Sequence, residues 1–150
     1  MKQDTKIVNA GRSAKWTNGV VNPSVTRAST VVFNTVAEMN NAVANRHNQT
    51  MVYGRRGTTT SFAFSDAMTE LEGGAGCALY PSGTAAITNA ILAFVKQGDH
   101  ILMVDSAYEP TRDYCDKILA KMGVSTTYYD PMVGADIESL IQDNTSLIFL

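Results

Sequence analysis

The sequence predicts an α/β fold of three layers, in which helices cover both faces of a mainly parallel sheet. From about residue 61 onward, helical and extended patterns alternate four times along the chain. Residues 101–104 are continuously apolar, which is typical of a parallel strand that is covered on both faces. Residues 85–95 are apolar nearly all round, which indicates a helix buried under other layers.

The first part of the chain, residues 1–60, is predicted to be an irregular arm. Short helices are expected near residues 7–10 and at 36–45, and the β-branched content of residues 29–33 predicts a strand. A polar segment, residues 48–60, follows. Long irregular segments rarely form a core alone and are often functional or packed on another subunit.

The second part, residues 61–150, has a regular order of elements. The predicted strands are residues 77–80, 101–104, 124–129 and 147–150. The predicted helices carry apolar residues at helical spacing, namely Phe64, Ala67, Met68 and Leu71, then residues 85–95, then Cys115, Ile118, Leu119 and Met122, and finally Ile137, Leu140 and Ile141. Since ligands bind at the carboxyl ends of parallel strands, the loops 80–84 and 105–110 are the expected site.

The stretch 80–86 joins a predicted strand to a helix through a turn of small residues. Ser82 is a suitable N-cap, because its hydroxyl can accept a hydrogen bond from the first helical turn. Gly83 has no side chain, so a ligand can approach its backbone N–H closely. Unpaired N–H groups and the positive end of the helix dipole predict an anion site, for which phosphate is the usual ligand. An ordinary strand-to-helix turn has the same pattern, so both interpretations stay open from this stretch alone.

Two further groups of residues are candidates for ligand binding. Tyr108 follows a predicted strand and precedes Pro110, and an aromatic ring there can stack on a flat ligand or pack as a core tyrosine. Arg55 and Arg56 follow Tyr53 in a glycine-flanked loop. Arginine forks suit phosphate and carboxylate oxygens, while a solvated surface pair is the alternative.

Composition argues against several classes of function. The net charge of −2 gives no reason to expect nucleic acid or an anionic membrane as a partner. No apolar run reaches the length of a membrane span and the polar start lacks the apolar segment of a secretory signal, so we expect a cytoplasmic protein. Cys77 and Cys115 are predicted to be buried free thiols. Because His47 and His100 lack metal-ligand spacing to either cysteine, no metal site is predicted.

Taken together, these stretches resemble the Cys/Met-metabolism family of pyridoxal-phosphate (PLP) enzymes over essentially the whole chain. The residues that carry the resemblance are Val8-Asn9-Ala10-Gly11-Arg12, Val52-Tyr53-Gly54-Arg55-Arg56-Gly57-Thr58, Leu71-Glu72-Gly73-Gly74-Ala75, Pro81-Ser82-Gly83-Thr84-Ala85-Ala86, Leu92-Ala93-Phe94 with Gly98-Asp99-His100, and Ala107-Tyr108-Glu109-Pro110. The resemblance implies the fold type I architecture of PLP-dependent transferases. It makes residues 1–60 an arm that contacts a neighbouring subunit, and residues 61–150 the first part of the PLP-binding large domain.

The resemblance also implies roles for individual residues. Gly83 and Thr84 would hold the phosphate of pyridoxal 5'-phosphate through their backbone N–H groups. Tyr108 would stack on the pyridine ring and, as a catalytic residue, could assist proton transfer. Tyr53 and Arg55 would reach the phosphate of the cofactor in the neighbouring subunit, so the implied working unit is a homo-oligomer, a dimer at least, with a tetramer expected.

The implied substrate is a small amino-acid thioether. Arg56 would lie at the substrate entrance, where it could bind a carboxylate, and Asp113 would line the same side. The Schiff-base lysine of the family would come later than Leu150, since no lysine here lies in a matching motif. We therefore expect residues 1–150 to be the front part of a longer protein.

The implied activity is that of a carbon–sulfur β-lyase that cleaves cystathionine to homocysteine, pyruvate and ammonia in methionine biosynthesis. A γ-synthase, γ-lyase or sulfhydrylase of the same family is the first alternative. The residues at Gly54 and Glu109 depart from the pattern of those siblings and favour the β-lyase. An alternative of another class is a non-catalytic module that binds a phosphorylated ligand or a partner protein.

Overall fold

The computed structural model of the protein describes residues 2–150, which fall into two compact units that divide between Leu79 and Tyr80. The first unit is helical. Its helices are α1 (Gln3–Asn9), α2 (Ala14–Thr17), α3 (Val36–Ala44) and α4 (Thr59–Glu72), and 3₁₀ turns span Arg46–Asn48 and Gly54–Arg56. Its core is a small cluster of Trp16, Phe62 and Ala63, against which Met51 packs.

Local capping explains where the two longer helices of this unit begin. Thr35 Oγ1 accepts a hydrogen bond from the Glu38 N–H at 3.1 Å, and α3 starts at the next residue after Thr35. Thr58 and Ser61 form a capping box at the start of α4. The predicted helix at 36–45 is thus confirmed, and the one predicted near residues 7–10 lies earlier, in α1.

The strand predicted at residues 29–33 is wrong. The described residues give this segment only an isolated antiparallel bridge between Thr30 and Tyr53. Val32 is 89% exposed, so the β-branched side chains here do not pack on a sheet. β-propensity reports how well a residue fits a half-buried pleated surface, and no such surface is present at this position.

The second unit contains a three-stranded parallel sheet, which confirms the predicted α/β class. Its elements are α5 (Gly83–Leu92), β1 (His100–Val104), α6 (Glu109–Tyr114), a π-helical turn (Cys115–Leu119), a 3₁₀ turn (Ala120–Met122), β2 (Ser125–Tyr129), a 3₁₀ segment (Gly134–Leu140) and β3 (Thr145–Phe149). The strand order is β2-β1-β3, and both pairings are parallel.

The central strand β1 organises the core of this unit. Ile101, Leu102 and Met103 are fully buried, as predicted for a strand covered on both faces. Ile101 and Met103 belong to a cluster that also contains Ile91, Cys115, Leu119 and Val124. The carboxyl end of β1 thereby becomes a fixed base for the loop that follows it.

The strand predicted at residues 77–80 is also wrong. The backbone there is not paired in a ladder with any described residue, and its contact to a helix is a side-chain one, from Ser65 Oγ to the Cys77 carbonyl at 2.7 Å. Cys77 is only half-buried, whereas Cys115 is buried as expected; both are free thiols. A strand requires a partner strand, and the local apolar pattern cannot supply one.

Three helical predictions also need correction. The helix predicted at 85–95 ends at Leu92, and Leu92 and Phe94 are exposed, so only one of its faces packs on the core. In the helix around residues 115–122, Ile118 and Met122 are exposed, because the π-helical turn changes the 3.6-residue period that the prediction assumed. The last predicted helix forms as a 3₁₀ segment.

None of the helices in residues 2–150 is long and apolar enough to cross a membrane.

Candidate functional site

The first candidate site lies at the N-terminus of α5. Ser82 Oγ accepts a hydrogen bond from the Ala85 N–H at 3.1 Å, which confirms Ser82 as the N-cap. The first intrahelical bond runs from the Ala86 N–H to the Ser82 carbonyl at 3.0 Å. The N–H groups of Gly83 and Thr84 therefore have no acceptor inside the helix, and both residues are exposed. The space beside the Gly83 Cα is open, because an added Cβ would meet no atom within 4 Å apart from its chain neighbours and the backbone of its own helix. This arrangement can bind an anion through two backbone N–H groups and the helix dipole.

Tyr108 lies just beyond the carboxyl end of β1 and immediately precedes α6. Its side chain is 67% exposed, so the ring is available for contact with a ligand. Its carbonyl accepts hydrogen bonds from the N–H groups of Thr111 and Arg112, at 2.8 and 3.2 Å, which ties the residue to the first turn of α6. Because α5 and α6 contact each other, the anion-binding turn and Tyr108 are carried by two adjacent helices of the second unit.

Asp113, the predicted substrate-binding residue of this unit, is engaged in an ion pair. Its Oδ2 accepts from Lys117 Nζ at 2.7 Å, one turn further along the chain, and both side chains are exposed. The hydrogen bond from Lys117 to Asp113 raises the pKa of the lysine. An exposed ion pair of this kind contributes little to stability. A ligand can therefore replace Lys117 as the partner of Asp113 at a low cost in free energy.

The second candidate site is the 3₁₀ turn Gly54–Arg56, here called the arginine turn. Both arginine side chains are exposed, and neither forms an ion pair with any residue of 2–150. The Arg55 guanidinium carbon lies 5.6 Å from the ring centroid of Tyr53, within range of a cation–π contact. Two uncompensated guanidinium groups beside a phenol can bind phosphate or carboxylate oxygens.

The backbone of the arginine turn is fixed at both ends. The Gly54 N–H donates to the Ser29 carbonyl at 2.7 Å, and the Thr30–Tyr53 bridge lies next to this bond. Gly57 has a φ of +128°, and a Cβ on it would overlap the Phe62 ring. A residue with a side chain could not take this place without moving the ring, so glycine is required for the turn.

A cavity of about 810 Å³ opens beside the arginine turn within the first unit. Arg55, Arg56, Asp66, His47 and Cys77 are among its lining residues. Its volume is in the range of small-molecule sites. The lining carries an excess of positive charge, because it contains two arginines and a single carboxylate.

The structure adds one polar cluster that the sequence interpretation did not contain. Asp66 Oδ2 accepts from Trp16 Nε1 at 2.6 Å, and Asp66 Oδ1 accepts from Gln49 Nε2 at 2.7 Å. The partners are 50 and 17 positions away along the chain. The position of Asp66 on α4, one turn after the buried Phe62, is the only local signal, and it does not identify the partners.

The predicted site residues thus form two groups. Gly83, Thr84, Tyr108 and Asp113 belong to the second unit, and Tyr53, Arg55 and Arg56 belong to the first. In residues 2–150 no group of three or more histidine, cysteine or acidic side chains is arranged to hold a metal ion. Each group is suited to anions and includes an exposed aromatic ring, Tyr53 in the first unit and Tyr108 in the second.

Comparison with known proteins relates this arrangement to a family. The sequence model of the family described as Cys/Met metabolism PLP-dependent enzyme matches residues 4–150. The chain is 58% identical over 147 residues to the cystathionine beta-lyase of Salmonella typhimurium, covering 98% of this chain and 37% of that protein. It is 55% identical over 149 residues to cystathionine beta-lyase MetC of Escherichia coli, covering 99% and 38%.

The backbone agrees with a solved structure as well. The crystal structure of metB from Corynebacterium glutamicum superposes with a TM-score of 0.85 at 27% identity, covering 100% of this chain and 37% of that one. The chain therefore spans little more than a third of the length of the relatives that it matches.

Proposed function

Because the chain belongs to the Cys/Met metabolism family of PLP-dependent enzymes, we propose that it forms the first part of a carbon–sulfur β-lyase. The proposed reaction cleaves the Cβ–S bond of cystathionine and gives homocysteine, pyruvate and ammonia with the uptake of one water. The observation that carries the proposal is the identity of 58% and 55% to two cystathionine β-lyases along nearly the whole chain. A non-catalytic module is disfavoured, because the relatives at this level of identity are enzymes.

The chemistry of the described residues fits the cofactor. Gly83 and Thr84 offer two exposed N–H groups that lack helical acceptors, which matches the need of a phosphate for several donors. The open space beside Gly83 leaves room for phosphate oxygens at the backbone. Tyr108 offers an exposed ring for a flat heterocycle. When bound, PLP supplies an electron sink for the electron pair that is released at the substrate Cα.

In this proposal the second unit binds the cofactor and fixes its orientation. The N–H groups of Gly83 and Thr84 bind the phosphate, and the helix dipole of α5 favours its negative charge. Tyr108 holds the plane of the ring by stacking. The phenolic Oη of Tyr108 can also transfer a proton to the sulfur atom that leaves from Cβ, so that homocysteine departs as a thiol.

The first unit completes the site of another copy of the protein. Tyr53 and Arg55 bind the phosphate of the neighbouring subunit's cofactor, and Arg56 lies at the substrate entrance. Asp113, which belongs to the second unit, is also proposed to line the substrate entrance. The absence of an ion pair at Arg55 and Arg56 among residues 2–150 supports an anionic ligand for this turn. The proposal therefore includes a cytoplasmic homo-oligomer, a dimer at least, in which residues 1–60 contact the neighbouring subunit. It also places the Schiff-base lysine outside residues 1–150.

The test uses the complete polypeptide that contains residues 1–150. We expect a yellow protein whose visible absorbance is lost on borohydride reduction, and we expect pyruvate to be formed from cystathionine. Formation of 2-oxobutyrate instead would identify a γ-lyase. A protein that stays colourless with added PLP and releases neither keto acid would contradict the proposal and favour the binding module.

A further inference from the structure

We propose that Asp66 is a positioning residue for the arginine turn and acts on it through Gln49 and Trp16. This inference rests on the proposed function, in which Arg55 binds the phosphate of a neighbouring subunit's cofactor. Asp66 itself would not touch cofactor or substrate. Its carboxylate would determine how firmly Arg55 and Arg56 are held in the orientation that binds an anion.

Both oxygens of the Asp66 carboxylate accept hydrogen bonds from uncharged donors. Trp16 Nε1 donates to Oδ2 at 2.6 Å and Gln49 Nε2 donates to Oδ1 at 2.7 Å, and the three residues are buried or half-buried. Hydrogen bonds to an ionised acceptor are stronger than bonds between neutral groups. The carboxylate thus joins three segments, α2, α4 and the residue Gln49, that are far apart in the sequence.

Gln49 has a backbone conformation that needs support. Its φ is +56°, in the left-handed region, where a residue with a side chain is disfavoured by sterics. The side-chain bond to Asp66 holds Gln49 in this conformation. Because Gln49 lies five residues before Gly54, its backbone sets the direction in which the chain enters the arginine turn.

The same helix supports the other end of this segment. Phe62 packs over Gly57 directly after the arginine turn, and Asp66 follows Phe62 by one turn of α4. Phe62 in turn contacts Trp16, with ring centroids 5.4 Å apart. Residues 49–57 are therefore held at both ends by α4, with Arg55 and Arg56 exposed between the two attachments. If the Gln49 attachment is lost, the Gly54–Ser29 backbone bond and the Thr30–Tyr53 bridge remain as the support of the turn on that side. The guanidinium groups would then be present but held less firmly.

The experiment measures the PLP dissociation constant of the complete polypeptide by titration of the visible absorbance, together with thermal unfolding. The variants are D66A, Q49A, Q49G and D66N, and R55A reports on the proposed function. Gln49→Gly relieves the backbone strain but lacks the anchoring amide, so it separates these two effects. Asp66→Asn can keep both bonds, because its amide can accept from Trp16 and donate to the Gln49 side-chain oxygen after both amides turn.

We expect D66A, Q49A and Q49G to raise the PLP dissociation constant by about ten- to a hundredfold, the effect of a small displacement of a binding group. D66N should stay within about threefold of the wild type, because a neutral amide still joins the same two partners. In the R55A background, D66A should add less than about a further twofold change, since positioning has no effect without the group that is positioned.

Three outcomes would overturn the inference. If R55A raises the dissociation constant and D66A, Q49A and Q49G do not, the arginine turn binds PLP without help from Asp66. If D66A lowers thermal stability alone, Asp66 is only structural. If R55A itself leaves the dissociation constant unchanged, the role given to the arginine turn under the proposed function is wrong, and the inference fails with it.

Discussion

The Arg112 side chain forms hydrogen bonds with both the backbone and the side chain of Asp105. Arg112 Nη1 donates to the Asp105 carbonyl oxygen and to Oδ1, each at 2.5 Å. The guanidinium carbon also lies 4.0 Å from the ring centroid of Tyr128, and the bond to Asp105 raises the pKa of Arg112. Exposed ion pairs usually contribute little, but this one is anchored on the backbone at the start of the loop that carries Tyr108.

We therefore predict that Arg112→Ala weakens the proposed lyase through the position of Tyr108. The loss of the anchor should lower kcat by about tenfold or more, because a displaced binding or catalytic group is costly. The near-ultraviolet and visible circular dichroism of the bound cofactor should change in the same variant. Steady-state kinetics with cystathionine and these spectra are the measurements.

Lys121→Ala is the control for Arg112→Ala, since Lys121 is an exposed cation beyond the same helix with no hydrogen bond to a described side chain. It should leave kcat and the spectra as in the wild type. Unchanged kinetics and spectra in R112A would show that the Asp105–Arg112 pair does not position Tyr108.

The ring and the hydroxyl of Tyr108 have separate proposed roles, which two substitutions can distinguish. Tyr108→Phe keeps the ring, so the PLP dissociation constant should change by less than about threefold, while kcat should fall by about 10²-fold if the hydroxyl transfers a proton. Tyr108→Ala removes the ring as well and should weaken PLP binding in addition. Cofactor titration and turnover of cystathionine distinguish the two effects, and full activity in Y108F would leave Tyr108 only a stacking role.

The parts of the fold that could be predicted are those that depend on neighbouring residues. Residues 101–104 were identifiable as a strand because complete burial leaves a continuous apolar run. The start of α5 was identifiable because Ser82 acts on the turn directly after it, and its hydroxyl does accept from Ala85. The same local signal indicated free N–H groups at Gly83, which the structure contains.

The parts that could not be predicted depend on partners far along the chain. The apolar run at 77–80 resembles a strand, but no described residue pairs with it. The bonds of Asp66 reach across 50 and 17 positions, and no spacing rule connects those residues. The π-helical turn at Cys115–Leu119 moves Ile118 and Met122 out of the core, although their periodicity is that of an ordinary helix.

We predict that Gly57→Ala destabilises the first unit and weakens PLP binding together. The added Cβ would overlap the Phe62 ring, and the φ of +128° is unfavourable for alanine. The expected loss of unfolding free energy is about 1–3 kcal/mol from the backbone strain alone. Denaturant unfolding and PLP titration of the variant are the measurements.

Gly19→Ala is a matched control for Gly57→Ala. Gly19 also has a positive φ, +86°, but an added Cβ would meet no atom within 4 Å apart from its two chain neighbours. G19A should therefore lose stability through backbone strain and retain wild-type affinity for PLP. If G57A retains wild-type affinity as well, the backbone after the arginine turn does not influence the anion site.

The last prediction concerns His100, which joins the three strands of the sheet from the start of β1. Its Nδ1 lies 2.8 Å from Thr145 Oγ1 on β3, and its Nε2 lies 2.9 Å from Thr127 Oγ1 on β2. The side chain is buried, Gln142 is the other polar neighbour, and burial lowers the pKa of His100 below 6.5. The folded protein therefore keeps this imidazole neutral at a pH at which the unfolded chain protonates it.

The sign of the pH dependence follows from this difference. Between the folded pKa and 6.5 the unfolded chain binds more protons, so the unfolding free energy falls as the pH falls. The stabilising contribution is complete above 6.5 and is lost below it, with a slope of at most about 1.4 kcal/mol per pH unit for one group. Urea unfolding between about pH 5 and about pH 8 measures the slope.

His100→Gln should lower stability at every pH, because the two threonine contacts are disturbed, but it should also flatten the slope below pH 6.5. The slope, and not the stability, is therefore the informative quantity. His47→Asn removes an exposed imidazole in the other unit and serves as the comparison, with the wild-type slope expected. If H100Q keeps the full slope, other groups take up the proton on unfolding. The buried imidazole is then not the cause of the pH dependence of stability.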